Sequence, residues 1–138
     1  MSRNSDADIF REIEHTGDVG IEIEAGSRAE LFRRAALAIA QLMVDTATVL
    51  RIERRELSVP AADDADLMHD LLSVLLQTFI VDCFIWSEVC IDDSGPGLKV
   101  RLLGERFDPD RHEFRQEIKA VTYHELSVRS AGGRWLAR

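Results

Sequence analysis

Residues Leu67–Phe79 (LMHDLLSVLLQTF) are apolar nearly all round. A helix of that kind has no face to leave in water, so it must be covered on most sides. In a chain of 138 residues the cover has to come from a single domain. The segment therefore predicts a central helix with the other elements built around it. Asp63, Asp64 and Asp66 stand just before it, where negative charge favours a helix start.

A second helix is marked by its cap. Ser27-Arg28-Ala29-Glu30 is a capping box, in which Ser27 accepts from the Glu30 backbone N–H and Glu30 reaches back to Ser27. Leu31, Phe32, Ala35, Ile39, Leu42 and Met43 follow at helical spacing, with Arg28, Arg33 and Arg34 off that stripe. This is an amphipathic helix of about four turns.

The rest reads as strands. Ile9–Glu14 is short and is followed by turn-like residues from His15 to Asp18. Val19, Ile21 and Ile23 then alternate with Gly20, Glu22 and Glu24, a half-buried strand with an acidic outer face. Ile52–Val59 is a strand stopped by Pro60, and Trp86–Asp92 is one ended by the turn Asp93-Ser94-Gly95-Pro96-Gly97. Leu98, Val100 and Leu102 alternate with polar or outward positions. Phe114, Gln116, Ile118 and Ala120 are expected to share one strand face. Leu126 and Val128 mark another strand, and Gly132-Gly133 turns into residues 134–138. Helices that interrupt the early strands and a late run of strands imply an α+β fold. We expect a single domain, with two helices packed on a mixed or mostly antiparallel sheet. Residues 1–8 are expected to be a disordered polar tail and residues 9–138 the domain.

Charge narrows the function. Against 17 Lys+Arg stand 25 Asp+Glu, a net charge of −8. Tight binding to nucleic acid through phosphates needs a basic surface, so that class is disfavoured. A basic partner, a cation or plain solubility fits. No apolar run reaches the roughly 18–20 residues of a membrane span, and Met1–Asp8 has no signal-peptide character. Cys83 and Cys90 form neither a CxxC nor half of a zinc site, so we expect reduced thiols and a cytoplasmic protein.

P-loop, GxGxxG, HExxH, GxSxG and EF-hand signatures are all missing. Three polar clusters remain. Glu14-His15-Thr16-Gly17-Asp18 offers oxygen and imidazole ligands suited to a divalent metal, or else a turn capped by Thr16 or Asp18. Lys119, Tyr123 and His124 crowd one short segment. The stretch Gly104–His112 reads first as a solvated loop turned at Asp108-Pro109.

Together the clusters resemble the archease family. Glu14-His15-Thr16-Gly17-Asp18-Val19-Gly20 is similar to its D-H-T-A-D-V-G signature. Gly104-Glu105-Arg106-Phe107-Asp108-Pro109 with His112 is similar to its G-E-x-F-D-P-x-x-H, and Lys119–His124 matches K-A-V-T-Y-H in full. The resemblance spans about residues 9–138. It implies a non-catalytic protein that helps an RtcB-type RNA ligase in tRNA splicing and RNA repair. Such a helper promotes GTP-dependent guanylylation of the ligase and its multiple turnover, without joining RNA itself.

The resemblance also implies a divalent cation, Ca²⁺ or Mg²⁺, held by Asp18 and a C-terminal Asp. Lys119, Tyr123, His124, His15 and Asp108 are the implied functional or partner-facing residues. Two departures touch the site. Glu14 stands for the first Asp, and Trp135-Leu136-Ala137-Arg138 holds no match for the C-terminal Asp, so a weak cation site is expected. The competing expectations are a general protein-binding chaperone module and a metal-dependent phosphoesterase built on His15, Asp18 and His124.

Overall fold

A computed structural model describes residues 10–15, 18–118, 128–131 and 134–137. In chain order the elements are β1 (Arg11–His15), β2 (Asp18–Ala25), α1 (Arg28–Met43), β3 (Glu53–Val59) and α2 (Asp64–Asp82). After these come β4 (Phe84–Asp92), β5 (Leu98–Arg106), β6 (Val128–Ala131) and β7 (Arg134–Ala137). The α+β reading stands. The strands divide between two sheets, β1-β2-β7-β6 and β3-β5-β4, and the pairings described within them are antiparallel. The expected tail lies outside the described residues.

Helix α1 starts where its cap predicts. Ser27 Oγ accepts from the Glu30 N–H at 3.1 Å. The reciprocal half of the box does not form, because the Glu30 carboxylate takes Arg33 and Arg34 at 3.1 and 3.0 Å instead. The helix ends at Val44, whose extended backbone (φ −144°) bridges to Phe114.

The central helix is α1, which corrects the expectation for Leu67–Phe79. Ten of its 16 residues are buried, among them Ala35, Ala36, Ala38 and Ala40. Four alanines give a helix a thin profile, so strands and α2 can close on several sides of it. Helix α2 buries Leu67, Met68, Leu71, Leu75, Leu76 and Thr78 of its 19 residues, while Ile80 and Val81 are 52% and 67% exposed. Its apolar character exceeds the cover the fold supplies. It starts on Asp63, whose side chain accepts from the Asp66 N–H at 2.9 Å. It stops at Cys83, a left-handed residue at φ 56° whose N–H reaches Thr78 O.

Strands β4 and β5 carry the core toward the helices. Leu98, Val100 and Leu102 point inward with Phe84, Ile85, Trp86 and Val89. Trp86 is fully buried and donates its indole N–H to Ala36 O at 2.8 Å. Burying side chains of this size is worth about 1.5–3 kcal/mol each relative to exposure. Gly104 lets β4 close over β5, since a Cβ there would sit 1.9 Å from Ile85 O. The expected strand face of Phe114, Gln116, Ile118 and Ala120 is not formed over its described part. Phe114 makes a single bridge to Val44, residues 115–118 follow without strand pairing, and Ala120 lies outside the described residues. Among the described residues no helix is long and apolar enough to cross a membrane.

Candidate functional site

The first cluster sits at the end of a hairpin. Register places His15 directly opposite Asp18 at the β1–β2 turn. Strand β2 then runs away from Asp18 to Ala25, and α1 returns after the two-residue link Gly26-Ser27. A link that short makes β2 and α1 antiparallel, so Asp18 stands at the C-terminal end of α1. Strand β7 pairs with β2 with Ile23 opposite Ala137, and runs along it in the direction of Asp18.

The second cluster, Lys119, Tyr123 and His124, lies outside the described residues. The chain leading to it is described. Asp45 N–H donates to Glu113 O at 2.9 Å, and Arg115 N–H donates to Met43 O at 2.6 Å. Residues 113–118 therefore run beside the end of α1. Glu117 and Ile118 line a largely apolar cleft of about 500 Å³ with Met43, Phe79, Ile80 and Phe114. The approach to Lys119 and the Asp18 turn thus share one end of the molecule.

The third cluster is built around a buried carboxylate. By the alternation of β5, Glu105 follows Leu103 on the outward side, and the Asp108-Pro109 turn after it suggests a solvated loop. Glu105 is nevertheless only 3% exposed, because residues 48–52 and 107–112 fold over it. Glu105 Oε2 accepts from Leu50 N–H at 2.7 Å, Arg111 Nη1 at 2.9 Å and His112 Nε2 at 2.8 Å. Arg111 Nη2 closes on Oε1, making a forked pair. The Arg111 guanidinium, helped by Leu50 N–H and His112, holds this carboxyl down at about 2 against the opposing effect of burial.

His112 is fixed by the same network. Its Nδ1 accepts from Asp108 N–H at 2.9 Å, so the ring proton is assigned to Nε2, which donates to Glu105. Phe107 stacks on the ring at 5.6 Å between centroids. Asp108 shapes the turn that presents His112. Its Oδ1 accepts from Asp110 N–H at 2.9 Å, and its carbonyl accepts from Arg111 and His112 N–H at 3.0 and 2.8 Å.

The cluster anchors chain segments and holds no attacking group. Every oxygen of Glu105 is already engaged, and the His112 side chain is fully buried. Among the described residues no group of three or more His, Cys, Asp or Glu is placed to hold a metal. The cluster holding Glu105, Arg111 and His112 is visible in the sequence, but the burial of Glu105 is not, since it depends on the distant loop bearing Leu50. The available signal was a buried-type histidine seven residues after a strand-end glutamate.

Comparison with known proteins points to one family. A family model described as the Archease protein family matches residues 10–138. "Protein archease" of Methanopyrus kandleri is 36% identical over 132 residues, covering 93% of this chain and 94% of that protein. "Protein archease" of Sulfurisphaera tokodaii is 33% identical over 129 residues, covering 92% and 93%. The solution structure of Methanobacterium thermoautotrophicum protein 1598 superposes with a TM-score of 0.75 at 32% identity, over 94% of each chain.

Proposed function

The chain belongs to the archease family, and from that premise we propose that it is a non-catalytic activator of an RtcB-type RNA ligase, working in tRNA splicing and RNA repair. The observation that carries the reading is spatial. The Asp18 turn and the segment entering Lys119-Ala120-Val121-Thr122-Tyr123-His124 share the C-terminal end of α1. The Asp18 turn and the chain leading toward the second motif thus lie near one end of α1, which supports contact with a single partner.

In this reading the activator meets the ligase where GTP is handled. The net charge of −8 favours approach to a basic active-site mouth. Lys119 contacts a carboxylate or phosphate there, and Asp18 supplies an oxygen ligand for Ca²⁺ or Mg²⁺, the hard cations such a ligand suits. A bound cation would offset negative charge on the GTP phosphates. The β2–β7 register supports this placement, because it carries the last strand along β2 toward Asp18. We place the protein in the cytoplasm, a reading supported by the free thiols of Cys83 and Cys90.

The test is guanylylation of the cognate ligase with GTP and Mg²⁺, with the ligase limiting. The protein should accelerate it, and Asp18→Ala and Lys119→Ala should each reduce the effect. If the wild-type protein gives no acceleration, or neither variant changes it, the reading fails.

A further inference from the structure

Helix α2 leaves Ile80 and Val81 at 52% and 67% exposure, and Phe114, which lines the same cleft as Ile80, is 48% exposed. That cleft, about 500 Å³, falls within the roughly 300–1,000 Å³ of ordinary binding pockets. Its walls are fixed. Phe107 packs edge-on against both Phe79 and Phe114, at 5.4 and 6.2 Å between centroids, and stacks on His112, which Glu105 holds. The Val44–Phe114 bridge and the bonds Asp45 N–H to Glu113 O and Arg115 N–H to Met43 O pin residues 113–115 to the end of α1. Phe114 is therefore held in place with nearly half of its surface in water. Apolar surface displayed beside a formed pocket marks a place where something binds.

Charge selects the occupant. Glu117 lines the cleft, and Glu113 directly precedes Phe114. Both are exposed, and neither carboxylate meets a donor among the described residues. The base between them, Arg115, is already engaged, 3.7 Å from the Asp45 carboxylate and 3.4 Å from Gln41 O. Arg115 and Asp45 cancel, so this segment keeps two uncompensated negative charges. RNA and anionic lipid would bring more negative charge to that rim. A two-fold pairing of this face with a second copy would set the same carboxylates against each other. A protein segment with Lys or Arg next to an apolar side chain matches both the cleft and its rim.

We propose that this cleft docks a basic segment of a protein partner, with an aliphatic or aromatic side chain seated among Phe79, Ile80 and Phe114 and a neighbouring Lys or Arg paired with Glu117. An exposed ion pair contributes little affinity, so the buried anchor supplies the strength and Glu117 the choice of charge. The docking surface needs neither the Asp18 turn nor an RNA ligase, so the function proposed above can fail while this one stands.

Amide chemical shifts of the ¹⁵N-labelled protein test it, with four probes: a synthetic Lys/Leu peptide, a matched Lys/Ser peptide without an anchor, a Glu/Leu peptide and a single-stranded RNA. The Lys/Leu peptide alone should give saturable shifts at Met43, Ile80, Phe114 and Glu117. Ile80→Ser should weaken that binding about tenfold. Glu117→Lys should weaken it roughly two- to fivefold and strengthen binding of the Glu/Leu peptide. Both side chains are largely in water, so the variants keep the fold, and an unchanged spectrum away from the cleft verifies it. Equal shifts with the Lys/Ser peptide reduce the effect to charge alone and overturn the proposal. Equal shifts with the Glu/Leu peptide, shifts with RNA, shifts that depend on protein concentration without a probe, or no shifts at the cleft overturn it as well.

Discussion

Replacing Glu105 by Gln is a one-atom change with a calculable effect. The carboxylate is 3% exposed and takes donors from Leu50, Arg111 and His112. If the amide oxygen replaces Oε2, three contacts survive but lose their charge. Charged hydrogen bonds contribute about 1.5–3 kcal/mol and neutral ones about 0.5–1.5, so roughly 1 kcal/mol is lost at each. The amide N–H₂ then faces Arg111 Nη2, donor against donor, although Arg111 is exposed enough for water to relieve part of that. Glutamine is cheaper to bury than glutamate, which offsets part of the loss. The net cost should be about 2–4 kcal/mol at pH 7.

Acid should erase much of this difference. The Glu105 carboxyl is lowered from 4.5 to about 2 in the folded protein, first by Arg111. A depressed carboxyl contributes stability that is complete above its unfolded value and disappears as pH falls through its folded value. The wild-type advantage should therefore be full above pH 4.5 and shrink toward pH 2, the window set by that shift. Urea unfolding of both proteins at about pH 7 and about pH 3 measures it. A cost below about 0.5 kcal/mol at neutral pH, or a gap that does not narrow in acid, would refute the idea that this carboxylate anchors the loops.

Three further changes probe the same framework. Gly104→Ala should cost more than about 2 kcal/mol in a urea melt, because the new methyl meets the Ile85 backbone carbonyl at 1.9 Å and a strand must shift. Cys83→Gly should be neutral or stabilising by up to about 1 kcal/mol, since φ 56° suits glycine at a helix C-cap; a clear loss of stability would contradict that assignment. Trp86→Phe should cost about 2–4 kcal/mol, combining the lost bond to Ala36 O with the space left at a fully buried position, as read from thermal unfolding.

What the sequence revealed depends on the range of the interaction. The cap at Ser27 and the alternation of Leu98, Val100 and Leu102 are local, and the structure realises them. The relative burial of the helices is not local. Helix α2 leaves Ile80 and Val81 in water just beyond the apolar run Leu67–Phe79, while the alanines of α1 make that helix the one others close upon. Gln116 and Ile118 alternate well with Phe114, but the strand is not formed because this segment pairs its backbone with the end of α1, through Met43 and Val44. Glu105 was hidden for the same reason. Its place in the strand points it outward, and only the distant loop bearing Leu50 encloses it. The motif at Lys119 was legible by resemblance alone, and no short-range pattern distinguishes it from a solvent-facing strand.

Ligation turnover tests the central claim most directly. The cognate ligase, GTP, Mg²⁺ and an RNA pair with 3′-phosphate and 5′-hydroxyl ends are mixed with the ligase at sub-stoichiometric level. Products per ligase molecule are counted with and without this protein. The account predicts that the protein alone joins no RNA, and that its addition carries the ligase through many rounds where the ligase by itself stalls. Equal product per ligase in the two reactions, or joining by the protein alone, would contradict it.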